Sequence, residues 1–227
     1  MRWFCFVYMV VCCTISWAQA PVTYTVKAGV QVLDVVPVKE IYQYPAFVPG
    51  TVVFKDGRSS PGRLNYNFLN AEMQFISPKG DTLSLADEQT VRHIVIAADT
   101  FYYSEGYVRI IKGGGTVKLG EKVFFKEFVQ KPGAYGLSSA TTASNTLTSI
   151  LAKRSVDLDI SQEIVLVKNT SWFMANKFND FMPADKKNIL KNLPRQRQAI
   201  EEYLRKNNVN FNKEDDLIRL TDFLNAL

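Results

Sequence analysis

The sequence predicts an α+β protein: a mainly antiparallel β-sheet, arranged as a rolled sheet, small barrel or sandwich, followed by three short C-terminal helices. Two observations carry this. Between residues 50 and 130, short apolar runs of period two alternate with turn-forming Gly, Pro, Asn and Asp. After Pro183 the apolar spacing lengthens to the helical period of about 3.6 residues.

The elements follow in order. Thr51-Val52-Val53-Phe54 reads as a strand that stops at Asp56-Gly57. Leu64, Tyr66 and Phe68 alternate with Arg63, Asn65 and Asn67, which gives the next strand one apolar and one amide-rich face. Asn70-Ala71 turns the chain into Met73 and Phe75, and Pro78-Lys79-Gly80-Asp81 is a turn by composition that leads to Leu83 and Leu85. The run 91–97 has Ile94 and Ile96 on one face and Val95 on the other, the pattern of a central strand. Phe101-Tyr102-Tyr103, a Glu105-Gly106 turn and residues 107–111 predict a hairpin that ends at Gly113-Gly114-Gly115. Residues 117–129 fit one long strand or two short ones broken at Gly120.

Composition changes at Pro132-Gly133. Eight of the thirteen residues 137–149 are Ser or Thr and none is charged, which reads as a flexible loop or linker. Val156, Leu158 and Ile160 then alternate with polar residues, and residues 163–167 and 171–175, separated by a Lys168-Asn169-Thr170 turn, predict a small hairpin. Ile189, Leu190 and Leu193 mark a first helix. Ile200, Tyr203 and Leu204 line a second one, which ends at Asn207 or Asn208. Asn212 is a candidate N-cap for the last helix, whose stripe is Leu217, Leu220, Phe223, Leu224 and Leu227. The segments are therefore a leader at 1–18, an extended segment at 19–49, a β-rich body at 50–136, a Ser/Thr-rich loop at 137–155, a hairpin at 156–182 and a helical unit at 183–227.

The leader follows from charge and apolar order. Arg2 is the only charge before an apolar run from Trp3 to Trp17, and small residues follow it, as in a secretory signal peptide. The run is too short for a transmembrane helix and leads into a polar segment, so no membrane span is expected in the mature chain. Ser16-Trp17-Ala18 is the favoured cleavage site, because cutting after Ala20 would place Pro21 next to the cut. Cys5, Cys12 and Cys13 all lie in the leader. The mature chain then has no disulfide, thiol nucleophile or thiolate metal site. It is expected in the periplasm, outside the cell or at the cell surface.

The chain carries 27 basic and 22 acidic residues, a mild excess without the basic stripe of a nucleic-acid binder. The densest basic stretch, 186–206, reads as a solvated helical face, with an anionic surface such as lipid or polysaccharide as the other reading.

Catalytic signatures are sparse. His93 is the only histidine and sits mid-strand, where a structural imidazole is favoured over a general base. No serine stands in a nucleophile elbow, and one histidine rules out a histidine-rich zinc site. Gly113-Gly114-Gly115 lacks the Gly-Lys-Ser/Thr that a phosphate-binding loop needs. Asp157-Leu158-Asp159 lacks the glycine of a calcium loop. No cofactor is implied. The candidate binding residues are Tyr102, Tyr103 and Tyr107 around one hairpin, with core packing as the alternative. Asp81-Thr82-Leu83 resembles the acceptor of Bacteroidota O-glycosylation systems, which makes Thr82 a candidate glycosylation site. Two roles compete: a non-enzymatic envelope protein that binds a protein or glycan through its sheet, and a carboxylate-dependent hydrolase of extracellular polymer.

Gly62-Arg63-Leu64-Asn65-Tyr66-Asn67, residues 72–76, Lys79-Gly80-Asp81-Thr82-Leu83 and the endings at 181–187 and 209–217 together resemble a group of exported Bacteroidota proteins of uncharacterised activity. The resemblance spans roughly residues 50–133 and 181–227, and the Ser/Thr-rich segment departs from it. It implies export and the same architecture, and carries over no functional residue. Mass spectrometry of the exported protein should find Gln19 at the mature N-terminus; a mature chain retaining Cys12 or Cys13 would contradict this.

Overall fold

The computed structural model describes residues 22–132, 138–142 and 163–227. The leader and most of the Ser/Thr-rich segment, with the Val156–Ile160 alternation, lie outside them. In chain order the elements are β1 (Thr23–Val26), α1 (Val32–Val35), α2 (Val38–Ile41), β2 (Val48–Phe54), β3 (Ser59–Asn67), β4 (Glu72–Ile76) and β5 (Thr82–Ser84). There follow β6 (Val91–Ile96), β7 (Asp99–Tyr103), β8 (Tyr107–Lys112), β9 (Lys118–Pro132), β10 (Ser138–Thr142), β11 (Ile164–Ala175) and β12 (Phe181–Pro183). The helices α3 (Lys186–Asn192), α4 (Arg197–Asn207) and α5 (Glu214–Ala226) close the chain. The α+β reading holds, with an antiparallel sheet and helices mostly at the C-terminus.

All the strands join one sheet in the order β1-β11-β9-β8-β7-β6-β2-β3-β4-β5, with β10 beside β9 and β12 beside β11. The sheet rolls. Its β3 limb curls back until the amide of Phe125 on β9 donates to the carbonyl of Phe68 at 3.1 Å and the Tyr66 hydroxyl donates to the Val123 carbonyl at 3.1 Å. Tyr66 packs edge-on against Phe68 and Tyr107, and Phe101, Ile94, Ile96 and Phe125 fill the same interior. Gly50 permits the closure, because a Cβ there would stand 2.7 Å from the Val95 carbonyl oxygen.

A second core joins the helices to the other end of β9 and β11. Leu119 and Met174 meet Ile189, Ile200, Leu217 and Leu220, all with no exposed surface. Asn225 of α5 fastens this unit by accepting from the Val117 amide at 2.7 Å and donating to its carbonyl at 2.9 Å, as a neighbouring strand would.

Four local expectations are corrected. Residues 19–49 are not simply extended: α1 and α2 form there, and the stretch after them straps across β3. That strap also buries the amide face of β3, where Asn65 is 1% exposed and exchanges hydrogen bonds with the backbone of Tyr44 and Ala46. Ser138–Thr142 is strand, not loop, because β9 runs on to Pro132 and offers it a free edge. Lys168-Asn169-Thr170 is no turn. β11 passes straight through it in unbroken register with β9, since a partner of that length satisfies every backbone group along the way. Lys213 rather than Asn212 occupies the N-cap of α5, and Asn212 instead donates its amide to Asn210.

Asn65→Ala should orphan the Tyr44 amide and cost about 2 kcal/mol in urea unfolding, because a buried donor left unpaired keeps its full desolvation penalty. A change within error would show that the strap is not held by this side chain.

Candidate functional site

Strand alternation gives the sheet around β7, β8, β9 and β11 two chemically distinct faces. The inner face carries Phe101, Tyr107, Arg109, Glu121 and Phe125; the outer face carries Tyr102, Lys118, Lys122 and Phe173. Tyr102, Tyr103 and Tyr107 therefore do not form one patch. Tyr107 is 1% exposed inside the roll, and its hydroxyl has no hydrogen-bond partner among the described residues. Burial, then the charge of Glu88, holds that phenol well above the usual range. Tyr103 packs edge-on against Tyr107 at the margin of the same core. Tyr102 alone points outward.

On the inner face, between the two cores, sits a half-buried ion cluster. Arg109 donates from Nε to Glu121 at 2.9 Å and from Nη1 to Asp99 at 3.1 Å, while the Tyr44 hydroxyl donates to Asp99. Burial pulls the guanidinium pKa down, but Glu121 and Asp99 more than reverse this and leave it raised. Burial, followed by the bond to Asp99, raises the Tyr44 phenol above its ordinary value. The adjoining cleft, lined by Gln43, Tyr66, Phe68 and Val123 with members of the cluster, leaves essentially no space for a bound molecule. A second carboxylate pair stands at the rim: burial, then the nearby charge of Glu72, raises the Glu88 carboxyl, opposed by a hydrogen bond from Tyr103. Among the described residues no three His, Cys, Asp or Glu side chains converge as metal ligands.

On the outer face, a row of rings runs across the strands. His93 of β6 lies 5.9 Å from Tyr102 of β7, and Tyr102 lies 5.7 Å from Phe181 of β12. The Lys118 ammonium sits 5.4 Å over the Tyr102 ring and donates to Asn179 in the β11–β12 turn. Lys122 covers Phe173 at 4.8 Å and donates to the carbonyls of Ser104 and Glu105, which pins the β7–β8 turn. Burial, and secondarily Arg92, lowers the His93 pKa, so the imidazole in this row is neutral at physiological pH. The helices do not cover these rings, because Leu119, Trp172 and Met174, which meet the helical core, lie on the opposite face of β9 and β11.

Beyond Phe181 the row reaches a turn that presents Phe178, 72% exposed. Asn176 rigidifies that turn by accepting from the amides of Phe178 and Asp180 at 2.8 and 3.1 Å. Thr82 is exposed on β5, the short strand at one end of the sheet. Sequence reasoning found Tyr102 but missed Lys118, Phe178 and Phe181, and read His93 only as structural. Only the strand register assembles them; an aromatic between Asn176 and Asn179, in turn-forming surroundings, was the one local signal available.

No protein-family model matches the chain, and no curated protein and no solved structure matches it.

Arg109→Gln should cost about 2 kcal/mol in chemical denaturation, since it leaves the Asp99 and Glu121 carboxylates, only 24% and 10% exposed, without their cation. Unchanged stability would show that solvent already compensates both charges.

Proposed function

We propose that this is an exported envelope protein without catalytic activity, which binds a protein or glycan through the outer face of its sheet. One observation carries the reading: the row of His93, Tyr102 and Phe181, with Lys118 over the central ring, lies outside both hydrophobic cores. Aromatic rings presented from rigid strands offer contact area at low entropic cost, and the neutral imidazole, phenol and ammonium add hydrogen-bonding capacity. Export rests on the leader-like order of residues 1–18. No helix among the described residues is long and apolar enough to cross a membrane.

The competing hydrolase reading needs two free carboxylates flanking a substrate cleft. Of the two carboxylate pairs described, Asp99 and Glu121 have Arg109 between them, while Glu72 accepts from Ser84 and Glu88 is bonded to Tyr103, which favours structural roles.

The test is capture by the chain from Gln19 onward, on a glycan array and from envelope extract, against Tyr102→Ala. The variant removes a half-buried ring, so it should stay folded with its melting temperature lowered by roughly 5 °C, and it should lose most of the captured signal. Undiminished capture would remove the row from the binding surface, and turnover of any polysaccharide or peptidoglycan fragment would replace the reading with the hydrolase.

A further inference from the structure

We propose that Lys118 and Asn179 condense into an intramolecular isopeptide bond, a covalent cross-link between β9 and the turn that joins β11 to β12. The Lys118 Nζ donates to the Asn179 Oδ1 at 2.5 Å, shorter than an ordinary N–H···O bond. With a carbonyl bond of about 1.2 Å, that contact sets Nζ roughly 3 to 3.5 Å from the amide carbon, the separation from which a held pair reacts. Among the described residues no other lysine donates to a side-chain amide: Lys122 reaches backbone carbonyls, and Lys112 and Lys168 reach carboxylates.

Both partners are held before reaction. Lys118 pairs with Ala175, which pairs in turn with Phe181, so its side chain starts at the base of the hairpin whose turn carries Asn179. In that turn the amides of Phe178, Asn179 and Asp180 all donate to Asn176, at 2.8, 3.0 and 3.1 Å. Asn179 itself stands at φ 66°, a left-handed conformation that asparagine tolerates better than most residues. The Tyr102 ring lies 5.4 Å from Nζ and packs on Phe181 at 5.7 Å, which limits the water around the half-buried Lys118. Two groups fixed at this separation react as one molecule, without the entropy loss of an encounter.

The step needs no outside reagent. Nζ, once it has released a proton, attacks the Asn179 Cγ; the new Nζ–Cγ bond replaces the Cγ–Nδ2 bond. The two protons that the Lys118 ammonium gives up end on the departing Nδ2, which leaves as ammonium. Asp180, next to Asn179 and bonded to Asn176 at 2.8 Å in the same turn, is the nearest carboxylate along the chain to carry them. The product is an amide that ties residue 118 to residue 179 at one end of the β9–β11 ladder and closes the chain between them into a loop. Cys5, Cys12 and Cys13 all precede residue 19, so the chain from Gln19 onward has no disulfide to do the same. The ring row keeps its place, with the ammonium over Tyr102 converted to a neutral amide N–H donor.

The experiment is tryptic peptide mapping by mass spectrometry of the folded chain from Gln19 onward, beside Lys118→Arg and Asn179→Gly. Arginine keeps a cation over Tyr102, and glycine keeps the left-handed backbone while removing the amide. Cyclisation of an N-terminal Gln19 also releases ammonia, so the peptide map decides rather than the intact mass. Wild type should yield one branched peptide that joins residues 113–122 to 178–186, uncleaved at Lys118 and lighter than its two parts by one ammonia. Both variants should lack it. Recovery of 113–118 and 178–186 as separate peptides of full mass from wild type would overturn the proposal, whether or not the variants fold. A branched peptide that persists in Asn179→Gly would overturn the assignment to this pair.

Discussion

The pairing of β9 with β11 is the constraint on which the rest of the structure depends. Twelve consecutive residues of each strand, from Lys118 to Val129 and from Ile164 to Ala175, face one another without a break. Such a ladder satisfies the backbone of both strands and fixes which side chains face inward along its whole length. One end of the inner face feeds Phe125, Ile164 and Leu166 to the rolled-sheet core, and the other feeds Leu119 and Met174 to the helices. Two hydrophobic cores thus share one rigid spine. Glu121, opposite Trp172 and between Leu119 and Val123 on the inner face, is held there by Arg109.

The same register builds the candidate site. Because alternate residues of a strand point to opposite faces, a spine that turns Leu119 and Met174 inward must turn Lys118, Lys122 and Phe173 outward. β12 adds Phe181 beside Ala175, and β7 and β6 add Tyr102 and His93. Helix docking on the inner face leaves the outer one unclaimed by the C-terminal unit. The Tyr107 hydroxyl, without a hydrogen-bond partner among the described residues, belongs to the opposite side of this division, buried with Tyr66, Tyr103 and Phe101.

Much of the fold was legible in local chemistry. Glu105 and Gly106 both adopt positive φ, as their place between two apolar runs predicts, and Asn208 ends α4 in the left-handed conformation. Of the predicted stripe, Leu217, Leu220 and Leu224 are buried as their spacing requires, Phe223 is half-buried, and Leu227, past the end of the helix, is exposed. What escaped was set by distant partners. Lys168-Asn169-Thr170 has turn composition, yet a long neighbouring strand overrides it; Ser138–Thr142 has no apolar pattern, yet the free edge of β9 captures it. The amide-rich face of β3 was legible, but not the strap at Tyr44 and Ala46 whose backbone Asn65 bonds. The ring row escaped for the same reason, since His93, Tyr102 and Phe181 are far apart in sequence and only the strand order aligns them.

A shared spine makes the two cores one cooperative unit, and the tryptophan content allows this to be measured directly. Trp172 is the only tryptophan after residue 18, and it packs against the helical core near one end of the spine. Urea unfolding of the chain from Gln19 onward, followed by Trp172 fluorescence and by far-UV circular dichroism, should give superimposable transitions with one midpoint. A fluorescence transition at clearly lower urea than the loss of β-structure would contradict the account, because it would mean that the helical core leaves β9 and β11 while the rolled sheet stays folded.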